Sequence, residues 1–199
     1  MPAGTRLWRV HDTRYDSTAF TPPRPSPYFD MGRFDGNTDD PYPYLYAALD
    51  EETALLETLA RDLKPNQHGD RQLPRKKVKG RCRCALDTTA DLALISLRTE
   101  QDLAAIGQDQ WLISTEEKQF AFTAHWAHWL RAQAVDAQGL IWPSRRNLNK
   151  HSVVLFGDRV PADAVIAASV PSIPLWDRAG ANLINQILVP YRITVGLPH

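Results

Sequence analysis

The period of apolar and polar positions changes several times along the chain, and each change predicts an element. Residues 6–10 alternate, with Leu7 on one face and Trp8 and Val10 on the other, as in a short strand. Residues 21–43 carry Pro22, Pro23, Pro25, Pro27, Pro41 and Pro43 and predict an ordered loop, since proline removes donors and breaks helices. A second strand is expected at Tyr44–Ala48. Leu55, Leu59 and Leu63, with Leu56, then recur at helical spacing and predict a helix over 51–63. Asp50 is placed to cap it, Glu51 and Glu52 suit the positive end of its dipole, and Pro65 stops it.

Further along, strands are expected at 77–86 and 92–97, and a short helix at 99–107. A longer helix is expected at 116–132, with Phe122, Trp126, Trp129 and Leu130 as its buried side. A strand at Gly139–Trp142, a loop through Pro143, Ser144, Arg145 and Arg146, and a strand at Ser152–Phe156 follow. Two more strands are expected near 164–170 and 186–195, separated by a loop with Pro171 and Pro174. Strands and helices do not alternate strictly, which predicts an α+β fold rather than a doubly wound sheet. No internal repeat or linker divides the chain, so one domain over 1–199 is expected.

Composition narrows the classes. The 199 residues are 43% hydrophobic and 23% charged, enough to bury a core without disulfides or metal. Nine per cent aromatics and zero net charge exclude disorder as the main state. No apolar run reaches the ~18 residues of a membrane span, and the first residues lack the apolar stretch of a signal peptide. A cytoplasmic protein without membrane contact is the expectation. Lys plus Arg and Asp plus Glu stand at 23 each, so nucleic acid is not the expected partner. The exception is local: Arg71–Arg83 holds seven basic residues in thirteen and no acid. A solvated loop entering a lysine-guarded edge strand is its ordinary reading.

Candidate chemistry comes last. There is no Walker A loop, Gly-x-Gly-x-x-Gly, Gly-x-Ser-x-Gly or His-Glu-x-x-His. His125 and His128 lack companion ligands, and Cys82 and Cys84 alternate on one strand face, so no metal site is expected. Four residues form a more informative set: Arg33 in the proline-rich loop, Tyr46 on the next strand, Glu57 on the helix beyond and Ser144 before the Ser152–Phe156 strand. Singly, each reads as a loop arginine, a core aromatic, a solvated acid and a turn former. Glu57 differs in lying at the edge of the apolar stripe, where a carboxylate is half-buried and turned toward a cleft.

The ordered series is more specific than its members. Leu7-Trp8-Arg9-Val10, Gly32-Arg33-Phe34-Asp35 and Tyr44-Leu45-Tyr46-Ala47-Ala48 come first, with Glu57 eleven residues after Tyr46. Gly139-Leu140-Ile141-Trp142-Pro143-Ser144-Arg145 leading into Ser152-Val153-Val154-Leu155-Phe156 completes the series, which over residues 6–160 resembles the RES domain family. That family is named for an arginine, a glutamate and a serine, here matched by Arg33, Glu57 and Ser144. The resemblance implies an ADP-ribosyltransferase-like fold, with small mixed or antiparallel sheets clasping a cleft and flanked by helices. It implies a toxin of a two-gene toxin–antitoxin module that cleaves the nicotinamide–ribose bond of NAD+ by hydrolysis or phosphorolysis. Carried over, Glu57 is the catalytic carboxylate, assisted by Arg33 and Tyr46. Arg9 and Arg33 bind phosphates or the nicotinamide ribose, Tyr46 packs on the nicotinamide side, and Ser144 positions the dinucleotide. NAD+ is then substrate rather than cofactor, with inorganic phosphate and an antitoxin protein as further partners.

Those residue types suit that chemistry. Cleaving an N-glycosidic bond builds positive charge on the ribose, which a fixed carboxylate stabilises. Arginine forks match phosphate oxygens. A tyrosine face suits a pyridinium ring. Nicotinamide leaves readily, so no strong general acid is needed. Tyr44 competes with Tyr46 for its role, and the acidic stretch with Asp35, Asp39 and Asp40 is longer than the family pattern. Two other activities fit the sequence: an ADP-ribosyltransferase acting on a macromolecule, and a non-catalytic or RNA-binding module using Arg71–Arg83.

Overall fold

A computed structural model describes residues 1–26, 28 and 31–198. Pro27, within the expected loop, lies outside the described residues. Strand β1 (Arg6–Asp12) is followed, beyond the proline-rich loop, by β2 (Tyr44–Ala48). Helix α1 (Glu51–Leu55) is capped by the Asp50 side chain, which accepts from the Thr53 N–H at 2.8 Å. It continues as a π-helical turn over Leu56–Ala60. Then come β3 (Arg71–Leu73), α2 (Arg75–Val78), β4 (Arg81–Thr88), β5 (Leu94–Ser96), α3 (Glu100–Ala105) and α4 (Trp111–Ser114). The chain ends with α5 (Phe120–Gln133), β6 (Gly139–Pro143), β7 (His151–Phe156), β8 (Val165–Ala167), β9 (Ile173–Pro174), α6 (Arg178–Leu188) and β10 (Ile193–Val195).

Eight strands form one mixed sheet in the order β5-β6-β7-β2-β1-β4-β8, with β9 also on β4. All neighbours are antiparallel except β5 and β6. The pairing is uneven. β1 and β4 are in register over seven residues, and β2 and β7 over five. Between them β1 meets β2 through the single pair Trp8↔Ala48. Two half-sheets therefore share one rung and part on either side of it. This is the α+β fold expected from the element pattern, with the clasping arrangement that the resemblance implies, and a parallel β3–β10 ribbon stands beside it.

Each face of the sheet is covered. Leu7, Leu45, Leu86, Val153 and Leu155 pack on one face. On the other, α1, the π turn, α6 and β10 surround Leu55, Leu56, Leu59, Ile184 and Leu188. Each of these leucines stabilises the fold by roughly 1.5–3 kcal/mol relative to exposure. A second cluster on that face joins α4 and α5 to Phe34, Tyr42, Leu140 and Phe156.

Several expectations change. The 186–195 strand is mostly helix, because Asp177 caps α6 through the Gly180 N–H at 2.8 Å and Ala181, Ile184 and Leu188 repeat at helical spacing. Only Ile193–Val195 is extended. The helix from 51 ends at Ala60, in the π turn. On α5 the buried stripe is Phe120, Thr123, Ala124, Ala127 and Leu130, while Phe122 and Trp129 are 64% and 43% exposed. Small Ala124 and Ala127 let the helix approach closely, so bulk was the wrong guide to its inner face. The basic segment is not a loop entering an edge strand: it forms β3 in the two-stranded ribbon, α2 and the start of β4, and β4 is an interior strand flanked by β1 and by β8 and β9. Among the described residues no helix is long and apolar enough to cross a membrane.

Candidate active site

Where β1 and β2 diverge, a cleft of about 540 Å³ opens. Its walls include Arg9 and His11 from β1, Tyr44 and Tyr46 from β2, Arg33 and Asp35 from the proline-rich loop, and Glu57 and Arg61 from the π turn and its end. Six arginines line it, Arg9, Arg14, Arg24, Arg33, Arg61 and Arg81, against three carboxylates, Asp12, Asp35 and Glu57. A cleft of that composition suits a polyanion.

The loop that carries Arg33 is fixed from every side. The Gly32 N–H donates to Asp35 Oδ2 at 2.7 Å, and a Cβ on Gly32 would fall 2.3 Å from Asp35 Oδ1, so a side chain there would have to displace the buried Asp35 carboxylate. The Phe34 N–H donates to the Tyr46 hydroxyl at 2.7 Å, and Thr123 Oγ1 donates to the Arg33 carbonyl at 2.6 Å. The Arg33 guanidinium donates to the Leu112 and Thr115 carbonyls at 3.2 and 2.9 Å and sits 4.8 Å over the Phe120 ring. Arg61 lies 4.9 Å from the same ring, so one aromatic carries two cations. Burial pulls the Arg33 pKa down to about 10, with Glu57 opposing, and leaves it a cation at neutral pH.

Glu57 stands in the π turn, an irregularity common where a helix presents a functional group. Ser144 Oγ donates to its Oε1 at 2.5 Å, and the Arg146 N–H donates to the same oxygen at 3.4 Å. Ser144 is fully buried and accepts from the Arg146 and Asn147 N–H groups, both at 3.1 Å. It does not line the cleft but stands behind Glu57, and its proton is engaged by the carboxylate. The resemblance implies a serine that positions the dinucleotide; here the hydroxyl reaches the cleft only through Glu57.

The remaining expected residues are also brought together. Tyr46 and Tyr44 both line the cleft and meet edge to face at 5.7 Å. Burial raises the Tyr46 hydroxyl well above its ordinary value, so it stays protonated. Arg9 donates to the Ser17 and Ala19 carbonyls at 2.6 and 2.8 Å and thereby pins the loop after β1 against the cleft. Burial lowers its pKa to about 10. Sequence reasoning missed Arg61, although it follows Glu57 by four residues and shares its helix face with Ala54 and Thr58. It also missed the Arg24–Asp35 ion pair at 3.1 Å, joined by nothing in the pattern. Of the basic segment, Arg81 reaches the cleft, while Arg83 is buried over Trp8 and paired with Glu51 at 2.7 Å.

Comparison with known proteins bears on the whole arrangement. No curated protein matches the chain. Among solved structures, a chain in the crystal structure of the M. tuberculosis MbcT–MbcA toxin–antitoxin complex is similar, with a TM-score of 0.61 at 16% identity. The likeness covers 87% of this chain and 85% of that one, and shows a shared fold. The family model for the RES domain matches residues 6–177, a span holding every cleft residue described above, and the chain belongs to the RES domain family.

Proposed function

We propose that the cleft binds NAD+ and cleaves its nicotinamide–ribose bond, and that the chain is the toxin of a toxin–antitoxin pair. The observation that carries the reading is Glu57, a carboxylate fixed by Ser144 at 2.5 Å inside a cleft lined by six arginines. The arginines supply cations for a pyrophosphate, and the carboxylate faces the place where positive charge develops. As the C1′–N bond breaks, nicotinamide leaves with the electron pair and the ribose becomes oxocarbenium-like. Glu57, held rather than free to reorient, stabilises that charge without reorganisation. An acceptor oxygen then bonds to C1′ and gives up its proton; water yields ADP-ribose, and inorganic phosphate yields its 1″-phosphate. Tyr46 serves twice, by offering a ring to the pyridinium and by holding the Arg33–Phe34 peptide through its hydroxyl. Ser144 and Arg33 act by keeping the carboxylate and the loop in place. Kinship with a chain from a toxin–antitoxin complex supports an antitoxin as protein partner.

The test is nicotinamide release from NAD+ by the purified chain, with and without phosphate, beside Glu57→Ala. Release by the wild type alone is expected, and free ADP-ribose, its phosphate ester or a modified macromolecule names the acceptor. Equal release by both proteins, or by neither, overturns the reading.

A further inference from the structure

Four cleft residues carry a buried side-chain polar atom without a hydrogen-bond partner among the described residues: Asp35 Oδ1, Tyr44 Oη, Arg61 Nε and Ser152 Oγ. Ser152, on β7, is the one of them set among small and apolar strand neighbours, and it is 4% exposed. The strand registers place it in a row. Trp8↔Ala48, Ala48↔Ser152 and Trp142↔Ser152 are direct cross-strand partners, so all four side chains share one sheet face, and all four line the cleft. Two small residues thus form a flat trough flanked by two indoles. A serine there, where alanine would pack as well, leaves a donor and acceptor unpaired in an apolar trough, which destabilises the fold.

Its place along the hairpin matters. The Ser144 N–H pairs with the Lys150 carbonyl, and Trp142 pairs with Ser152. Ser152 therefore lies one same-face step, about 7 Å of strand, from the serine that anchors Glu57. Glu57, held by that serine, and Ser152 both line the cleft, so a group bound at the carboxylate has Ser152 on the wall beside it.

We propose that Ser152 is a specificity-determining residue that hydrogen-bonds the carboxamide of the nicotinamide ring lying on the Ala48–Ser152 trough. This rests on the NAD+ reading above. The hydroxyl stays unpaired in the free protein and gains its partner from the leaving group. A planar ring without a hydrogen-bonding substituent fits the same trough but leaves the hydroxyl orphaned, so the residue separates nicotinamide from bare pyridines.

The test uses the full chain and Ser152→Ala, with nicotinamide and pyridine as probes. Removing an orphan hydroxyl is expected to leave the melting temperature unchanged or slightly raised, so the variant folds. Nicotinamide alone should raise the melting temperature of the wild type, and the concentration needed should rise about tenfold in Ser152→Ala, while pyridine acts equally on both. In turnover, KM for NAD+ should rise about tenfold with a smaller change in kcat. The inference is overturned if nicotinamide acts alike on both proteins, or fails to bind the wild type. Binding without release by the wild type would instead overturn the parent reading and leave Ser152 standing.

Discussion

Arginine is used in two opposite ways in this molecule. Arg131 on α5 is closed on itself: its guanidinium pairs with Asp40 at 2.9 Å and Asp158 at 2.7 Å and lies over the Tyr42 and Phe156 rings. Burial works against that cation, but the hydrogen bonds it donates to the two carboxylates, with their charge, more than offset it and raise its pKa. Arg9 and Arg33 are as deeply buried yet are held by backbone carbonyls, with no carboxylate within ion-pair distance among the described residues. Burial lowers both to about 10. Carbonyls orient a guanidinium without neutralising it. A buried arginine paired with acids is neutralised within the fold, whereas one held only by carbonyls keeps its charge uncompensated beside the cleft.

The largest effect that sharpens this contrast is on the cleft's own acid. Glu57→Gln keeps the volume and the contact with Ser144 but removes the charge, and nicotinamide release should fall about 10²–10³-fold at unchanged melting temperature. Next is Arg131→Met, which leaves Asp40 and Asp158 without their cation. It should cost about 2–3 kcal/mol in chemical denaturation, below a fully buried pair because both acids are partly exposed, with kcat/KM of the folded enzyme unchanged. Arg9→Met should do the reverse, raising KM for NAD+ about tenfold with a smaller loss of stability. If Arg9→Met cost more stability than Arg131→Met and left KM alone, the division between the two kinds of arginine would be wrong.

The smallest effect is a titration. Burial, ahead of any charge, lowers the pKa of His11 and His128 from 6.5; Arg9 lowers His11 further, whereas Asp40 acts upward on His128. Both are neutral in the fold, so the unfolded chain takes up protons first as the pH falls through about 6.5. Stability contributed by the neutral rings is complete above that value and is lost below it. An anion bound beside Arg9 offsets the cation's effect on His11, so ADP-ribose should move the His11 resonance titration upward and leave that of His128 in place. Equal shifts at both histidines would show that the anion sits elsewhere.

Much of this was legible in the chain. Alternation at 6–10 gave β1, and the apolar run Val153–Phe156 gave β7, because those strands present one face to each core. Glu57 was legible from its place beside Leu56 and Leu59, since a carboxylate at an edge of the buried stripe is half-buried rather than solvated. The π turn was not, because it depends on how Leu56–Ala60 pack beneath α6 and β10. Helix α6 was hidden by its Leu and Ile content, which suits strands as well as helices, and the decisive cap at Asp177 looks like any loop acid. The orphan at Ser152 was beyond reach, since a missing hydrogen bond is a property of a neighbourhood assembled from four strands.

The lone rung between Trp8 and Ala48 has a mechanical meaning. A sheet resists bending across its strands because each rung is a hydrogen-bonded strut, and here that direction has a single strut. The ladders on either side are complete, so tilting one half against the other stretches none of their bonds. Backbone bracing of the sheet is thus thinnest along the line where the cleft opens, and there the side chains packed across it carry the joint.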